Sequence, residues 1–297
     1  MLRIWHESCP PPSRMHADLV LSYPMPGHPQ GWSDDLTDFH EEVCQGHHPI
    51  DLASIRVAVE HCLECCHNSG SARILEIGCS SGFLLRRLRR ELPKAEVCGA
   101  DIIDVPLKRL AEALRNEGLP TPLLQFDLTT CPLPDECFDV VVALNVLEHI
   151  EDDLRAAKEI HRLLKPGGAF IFEVPAGSSL YDDYDRELHH YRRYDAGSLD
   201  GLLVESGLKR KKLSHLGAFM YPAFWLVKKW RSRAQIAPEV NLKAGDHPSD
   251  LTRRLIKSSS GFLFKGLFAM ELGLGNLINW PFGIRCMGVY TKEKAEE

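Results

Sequence analysis

Between Ala72 and Pro175 the chain alternates short apolar runs with amphipathic ones, and this alternation restricts the fold more than any other feature. The order is "ARILEIG", "GFLLRRLRREL", "AEVCGADI", "VPLKRLAEALRNEG", "PLLQFDL", "FDVVVALN", "EDDLRAAKEIHRLLKPGG" and "AFIFEVP". Strand and helix patterns that alternate with connections of a few residues predict βαβ units and a parallel sheet. The β-branched run "VVVAL" reads as a central strand buried on both faces. "LKPGG" closes its helix with Pro and Gly and turns the chain into the next strand. Ahead of this region, "DLASIRVAVEHCLECC" has helical spacing. After it come a helix, "AGSLDGLLVESGL", a strand near "KRKKLSHLG", and a last strand, "RCMGVYTKE".

About 70 residues separate those last two strands, too many for an ordinary loop. The expected division is therefore an irregular N-terminal segment over 1–50, with one short helix near 33–44 and a role as a lid; an α/β core over 51–216; a mainly helical, substrate-side insertion over 217–284; and the last core strand and tail over 285–297. The fold class is α/β, and 297 residues suit one such sheet with an elaboration.

Composition narrows the partners. A hydrophobic fraction of 44%, a charged fraction of 26% and a net charge of −6 are those of an ordinary globular protein and argue against nucleic acid as a partner. The start, "MLRIWHESCPPPSRM", lacks the apolar run of a secretory signal, so a cytoplasmic location is expected. Ten cysteines then read as reduced thiols, Cys79, Cys98, Cys137 and Cys286 among them. "HCLECCH" contains one C-x2-C but no second pair at finger spacing, so a helix with small apolar thiols is expected there, and no metal. Between Lys209 and Arg233, eight Lys/Arg interleave with "FMYPAFWLV". Such a stretch suits peripheral contact with a membrane surface, an anionic substrate, or a solvated face beside a core helix. The segment 261–284 is too interrupted by Lys265 and Glu271 to span a bilayer.

Ligands of open α/β sheets bind beyond the carboxyl ends of the strands, and the first βα turn often carries glycines. Here that turn is "LEIGCSSGFL", with Glu76, Gly78 and Gly82 in the pattern E-x-G-x3-G. It fits neither the dinucleotide fingerprint nor a phosphate-cradling loop with its Lys, which leaves a nucleoside without a pyrophosphate. The glycines let the backbone approach the ligand, and Glu76 offers a carboxylate to a cationic amine. Asp101 ends the second strand, where a carboxylate can accept ribose hydroxyls. Asp127 follows the third strand, within reach of a base amino group, and Asn145 ends the fourth. Each acid alone also suits a helix N-cap.

These motifs, in order and spacing, resemble the class I S-adenosylmethionine-dependent methyltransferases over about residues 70 to 215: "ILEIGCSSG", "GADI", "FDL", "CPLPDECFDVVVALNVLEHI" and "LLKPGG". The resemblance implies S-adenosylmethionine as cofactor. Glu76, Gly78, Cys79, Ser80 and Gly82 would line its methionine side, Asp101 and Ile102 its ribose, Asp127 and Leu128 its adenine, and Asn145 its amino end. It also implies a Rossmann-like, seven-stranded sheet whose last strand is antiparallel.

"DRELHHYRRYD" (185–195) then concentrates two histidines, three arginines, two tyrosines and three carboxylates after the fifth core strand, above the cofactor. Methyl transfer needs chiefly positioning, and a hydroxyl acceptor gains from a histidine base. His190 is expected to be that base, with Asp185, Tyr191, Arg193 and Tyr194 orienting a polar acceptor; the alternative is that these charges only fix the loop. The stretch is similar to an H-x-R-R-Y element of small-molecule and glycan-associated members of the family, matched by His190, Arg192, Arg193 and Tyr194. His149 is the second catalytic candidate. Relatives with E-x2-E-H at this place hold a divalent metal; here Asn145 replaces the first Glu and leaves Glu148 and His149, so no metal is expected. The acceptor expected is a small molecule or a glycan- or lipid-linked one, methylated at oxygen. The readings set beside this are an RNA or protein methyltransferase and a non-catalytic cofactor-binding scaffold.

Overall fold

A computed structural model describes residues 20–23, 25, 48–67, 71–79, 81–234, 262–275 and 277–294. Among these residues, eight strands form one sheet: β1 (Val20–Ser22), β2 (Arg73–Ile77), β3 (Glu96–Asp101), β4 (Leu123–Gln125), β5 (Phe138–Leu144), β6 (Leu164–Pro175), β7 (Lys209–Leu216) and β8 (Arg285–Thr291). Their order is β1-β4-β3-β2-β5-β6-β8-β7. Strands β1 to β6 pair in parallel, while β8 lies antiparallel between β6 and β7, with Phe172 opposite Gly288 and Leu213 opposite the same glycine. The expected "RCMGVYTKE" strand is therefore β8. The sheet has one strand more than expected: Val20–Ser22 adds a parallel edge to β4, from a segment read as irregular because three residues carry no period.

The helices are α1 (Pro49–Cys66), α2 (Phe83–Glu91), α3 (Asp104–Asn116), α4 (Asp153–Leu163), α5 (Asp183–Glu187), α6 (Ala196–Glu205), α7 (Tyr221–Ala234) and α8 (Phe262–Gly275). Because side chains alternate along a strand, β5 sends Val140 and Val142 to one face and Val141 and Ala143 to the other. The first face packs under α1, α2 and α3 through residues such as Val59, Leu85 and Leu107. The second packs under α4 and α6 through Ile160 and Leu203. Both faces are covered, so "VVVAL" is apolar throughout, each buried side chain contributing about 1.5–3 kcal/mol.

Two helices, α7 and α8, lie within the expected insertion, and Phe268 of α8 packs on Ile50 and Ala53 at the start of α1. The helix expected near 33–44, most of the proposed lid, Ser80 and residues 235–261 lie outside the described residues. No helix among the described residues is long and apolar enough to cross a membrane. The basic stretch is divided by the fold. Lys209, Arg210 and Lys211 are exposed at the start of β7, whereas Lys228 of α7 is buried, and Leu216 at the opposite end of β7 leads into the insertion. Of the thiols expected to be reduced, Cys79, Cys98 and Cys286 are free, but Cys137 is disulfide-bonded.

Candidate active site

The carboxyl ends of β2 to β5 build the first half of the site. Glu76 is buried near the end of β2, its Oε2 without a hydrogen-bond partner, and burial together with the neighbouring Asp101 raises its pKa well above the usual carboxylate range. The chain leaves the strand at Gly78, whose φ of 71° belongs to the left-handed region and whose Cβ, if present, would stand 2.4 Å from Val146 Cγ2. Only glycine meets both demands. The amides of Gly78 and Cys79 both donate to the carbonyl of Ala100 (2.8 and 3.0 Å), which ties the turn to β3. Gly82 is also left-handed (φ 72°), as the residue before α2, and a Cβ there would meet Leu110 Cδ1 at 2.4 Å. Cys79 is buried beside Gly99, and burial raises its thiol pKa well above the ordinary value.

Asp101 ends β3, and its Oδ1 accepts from the amide of Ile103 at 3.1 Å. Half-buried Ile102 follows, its carbonyl accepting from Gln125 Nε2. Asp127 caps a short 3-10 turn, Oδ1 accepting from the amide and the hydroxyl of Thr129 (2.8 Å each), so its capping role is real; Leu128 beside it is buried. Asn145 takes a left-handed φ of 53° after β5, a conformation that Asn tolerates, and its Nδ2 donates to Glu173 Oε1 at 3.2 Å. Glu173 itself is fully buried in β6, bonded to Arg285 Nη1 (2.8 Å), while Arg285 Nη2 bonds Asp51 at the start of α1 (2.5 Å). Sequence reasoning missed this chain of contacts, although a lone carboxylate inside the apolar run "AFIFEVP" was its signal.

The second half is the loop after β6. His190 Nδ1 lies 3.0 Å from Asp185 Oδ1. Arg193 Nε donates to both oxygens of Asp185 at 2.8 Å, and its Nη1 bonds the Ala176 carbonyl. Tyr194 donates its hydroxyl to Asp153 Oδ2 (2.8 Å) and contacts the Leu147 carbonyl (3.1 Å). Arg192 pairs with Asp153 at 2.6 Å. Three of the four residues expected to orient an acceptor have these partners within the loop and its neighbours, as the alternative of a charge-fixed loop describes. Asp185, Arg193 and Tyr194 are buried and spend their polar atoms on one another and on the backbone, because their charges and hydroxyl are cheaper to bury paired than to leave facing a ligand. Tyr191 alone of the four is exposed, at 39%.

Burial lowers the pKa of His190, a shift that its bond to Asp185 opposes and the cations of Arg193 and Lys228 reinforce. For Asp185, burial pushes upward, but the His190 bond, Arg193 and Lys228 outweigh it and hold the carboxyl well below its usual range.

The two catalytic candidates are brought together: the rings of His149 and His190 meet edge to face with centroids 4.7 Å apart. Glu148 lies beside them, fully buried, with neither carboxylate oxygen hydrogen-bonded, and burial raises its pKa to about 8. One ligand atom each from Glu148, His149 and His190 lie within 4.8 Å of one another, a donor set suited to a divalent ion. The expectation of no metal had only Glu148 and His149 in view; the third donor comes from 41 positions further along the chain and reaches the others only through the fold.

Residues 75–172 match the family model described as a methyltransferase domain. These residues form a class I S-adenosylmethionine-dependent methyltransferase domain. Its first half fits the family's cofactor: a buried carboxylate oxygen of Glu76 without a hydrogen-bond partner suits a cationic group at the end of β2. The chain is 38% identical over 99 residues to an uncharacterized methyltransferase of Mycobacterium bovis, covering 33% of this chain and 48% of that one. It is 32% identical over 108 residues to a mitochondrial arginine hydroxylase of Rattus norvegicus, covering 36% and 30% respectively. The chain thus spans about half the length, or less, of these curated relatives. A protein from Galdieria sulphuraria assigned as a sarcosine dimethylglycine methyltransferase shares the fold with a TM-score of 0.60 at 19% identity, covering 88% of this chain and 99% of that one. The methyltransferase match thus runs from within β2 to within β6, and one of the similar chains is named a hydroxylase.

Proposed function

We propose that the protein transfers a methyl group from S-adenosylmethionine to a hydroxyl of a small-molecule or glycan- or lipid-linked acceptor, with His190 as the base. The observation that carries this reading is the His190–Asp185 pair, set after β6 and beside the cofactor half. Asp185 holds the Nδ1 side of the ring and leaves Nε2 for a ligand. When bound, S-adenosylmethionine supplies a methyl group on a sulfonium sulfur, which departs as a neutral thioether. The work of the chain is to hold the acceptor, exclude water and take the hydroxyl proton at His190 Nε2. Burial and the nearby cations favour the neutral ring that a base requires. Tyr191, exposed on this loop, and His149, whose ring meets that of His190, would border the acceptor. A peripheral seat on a membrane, in an otherwise cytoplasmic protein, finds its support in Trp225, Leu226, Met270 and Leu277, apolar and exposed on the insertion.

The test is transfer of labelled methyl into a cell extract partitioned between organic and aqueous phases, with Asp101→Ala as the blank. His190→Ala is expected to lower turnover by about 10²–10⁴-fold. Turnover intact in that variant would end the base assignment; label in the aqueous phase alone would remove the lipid-linked acceptor; no label above the blank would favour a scaffold. A second reading rests on the convergence of Glu148, His149 and His190: a divalent cation held there would bind the acceptor oxygen in place of a free base. Loss of transfer on chelation, restored by Mg²⁺ or Mn²⁺, would select it.

A further inference from the structure

Lys228 reaches the acceptor loop from the insertion, 43 residues beyond Asp185. It is 4% exposed, and its Nζ donates to Asp182 Oδ1 (2.7 Å) and Asp185 Oδ2 (3.0 Å). One turn earlier on α7, Phe224 lies 5.7 Å from Lys228 Nζ and 5.7 Å from the Arg193 guanidinium, with Tyr184 6.0 Å from Nζ. Removing an ammonium from water is expensive, and a buried ion pair is weak evidence of stabilisation by itself. Its place is better explained by what the shared carboxylate does.

The carboxylate torsion of an aspartate is broad, so the partners of the carboxylate must fix its plane. Around Asp185 they divide the two oxygens. Oδ1 meets His190 Nδ1 and Arg193 Nε; Oδ2 accepts from the Asp182 amide, Arg193 Nε and Lys228 Nζ. Arg193 touches both oxygens and cannot choose between them. Lys228 and the Asp182 amide hold Oδ2, and thereby keep Oδ1 turned to the imidazole. We propose that Lys228 is a positioning residue for His190, so that the seating of α7 completes the reaction centre as well as covering it. This rests on His190 being the base, and the readouts are chosen to separate the two.

The experiment compares the full-length wild type with Lys228→Met, Lys228→Arg and Asp182→Asn, all chelator-treated. The His190 Nδ1–H resonance is followed in ¹⁵N-histidine-labelled protein, alongside thermal melting, cofactor affinity and labelled-methyl transfer. In Lys228→Met the resonance is expected to broaden or vanish, with cofactor affinity unchanged and kcat lower by about tenfold to a hundredfold, the size of effect that loss of orientation produces. Lys228→Arg, which keeps a donor and a charge, is expected to recover both. A wild-type resonance and wild-type kcat in Lys228→Met would overturn the proposal. Should that variant lack a cooperative melt, Asp182→Asn decides, since it loosens Lys228 while keeping side-chain size; an unaltered resonance there overturns it equally. If the wild type transfers no methyl group, the function proposed above fails, while the resonance still tests the role of Lys228.

Discussion

The cofactor half and the acceptor half of the site are built in opposite ways. Around Gly78 and Gly82 the shape comes from backbone: left-handed turns, amides bonded to Ala100, and carboxylates at strand ends with an oxygen of Glu76 unpartnered. Around His190 it comes from side chains: Asp185, Arg193, Lys228 and Asp182 satisfy one another in a buried network. A backbone cradle beside one unpartnered carboxylate oxygen suits a charged ligand, whereas a closed ionic network holds His190 still. The first half should therefore respond to ligand and pH, and the second to the loss of any one partner.

The largest effect is expected from Asp185→Ala. It strands the buried guanidinium of Arg193 and takes one of two carboxylate partners from Lys228, which keeps Asp182, for a loss of about 3–5 kcal/mol in stability by denaturant unfolding. A loss below about 1 kcal/mol would mean that water replaces the carboxylate and that the network is not closed. The same group gives a pH signature. Its folded pKa is depressed, so its contribution is full above the unfolded value of about 3.9 and is lost as pH falls through the lower folded value, seen as steeper acid unfolding than in the variant.

Next in size, Asp101→Ala should weaken S-adenosylmethionine by about 1.5–3 kcal/mol in calorimetry while leaving the melt nearly unchanged. Equal losses in binding and stability would erase the contrast between the halves. For Glu76 the sign is reversed, since its folded pKa is raised and a cationic ligand needs the ionised form. Cofactor affinity should rise with pH, by up to about tenfold per unit while Glu76 titrates, with a proton released on binding. Affinity that stays constant as pH rises above the ordinary carboxylate range would show that Glu76 does not meet the charge.

Tyr194→Phe should cost about 1 kcal/mol, because it removes one buried hydroxyl bond at Asp153 without stranding a charge. Smallest, Arg56→Ala breaks an exposed i,i+4 pair with Glu60 and should change stability by about 0.3–0.5 kcal/mol.

The cofactor half was legible in the chain because its determinants are local. Gly78 and Gly82 sit four positions apart in one turn, and Asp101 is found by counting to the end of the next strand. The acceptor loop was legible as a concentration of charge, but not in its pairing. Read alone, Asp185, Arg193 and Tyr194 suit an acceptor; in the fold Asp185 bonds His190, Arg193 and Lys228, and Tyr194 bonds Asp153. Lys228 was hidden in a basic stretch that the fold then split, with Lys209 to Lys211 at one end of β7 and Lys228 buried beyond the other.

The sequence by itself determined the α/β class, the succession of β2 to β6 along the chain and the glycine turn, since hydrophobic period and backbone permissiveness act over a few residues; the antiparallel β8 followed from the family resemblance of the motifs. Tertiary structure alone decided that a three-residue strand adds the sheet edge, that Glu148, His149 and His190 converge, and that an insertion helix meets the carboxylate beside His190. Those arrangements depend on which distant groups meet after burial, where the cost of leaving a charge unpaired selects partners that no local pattern records.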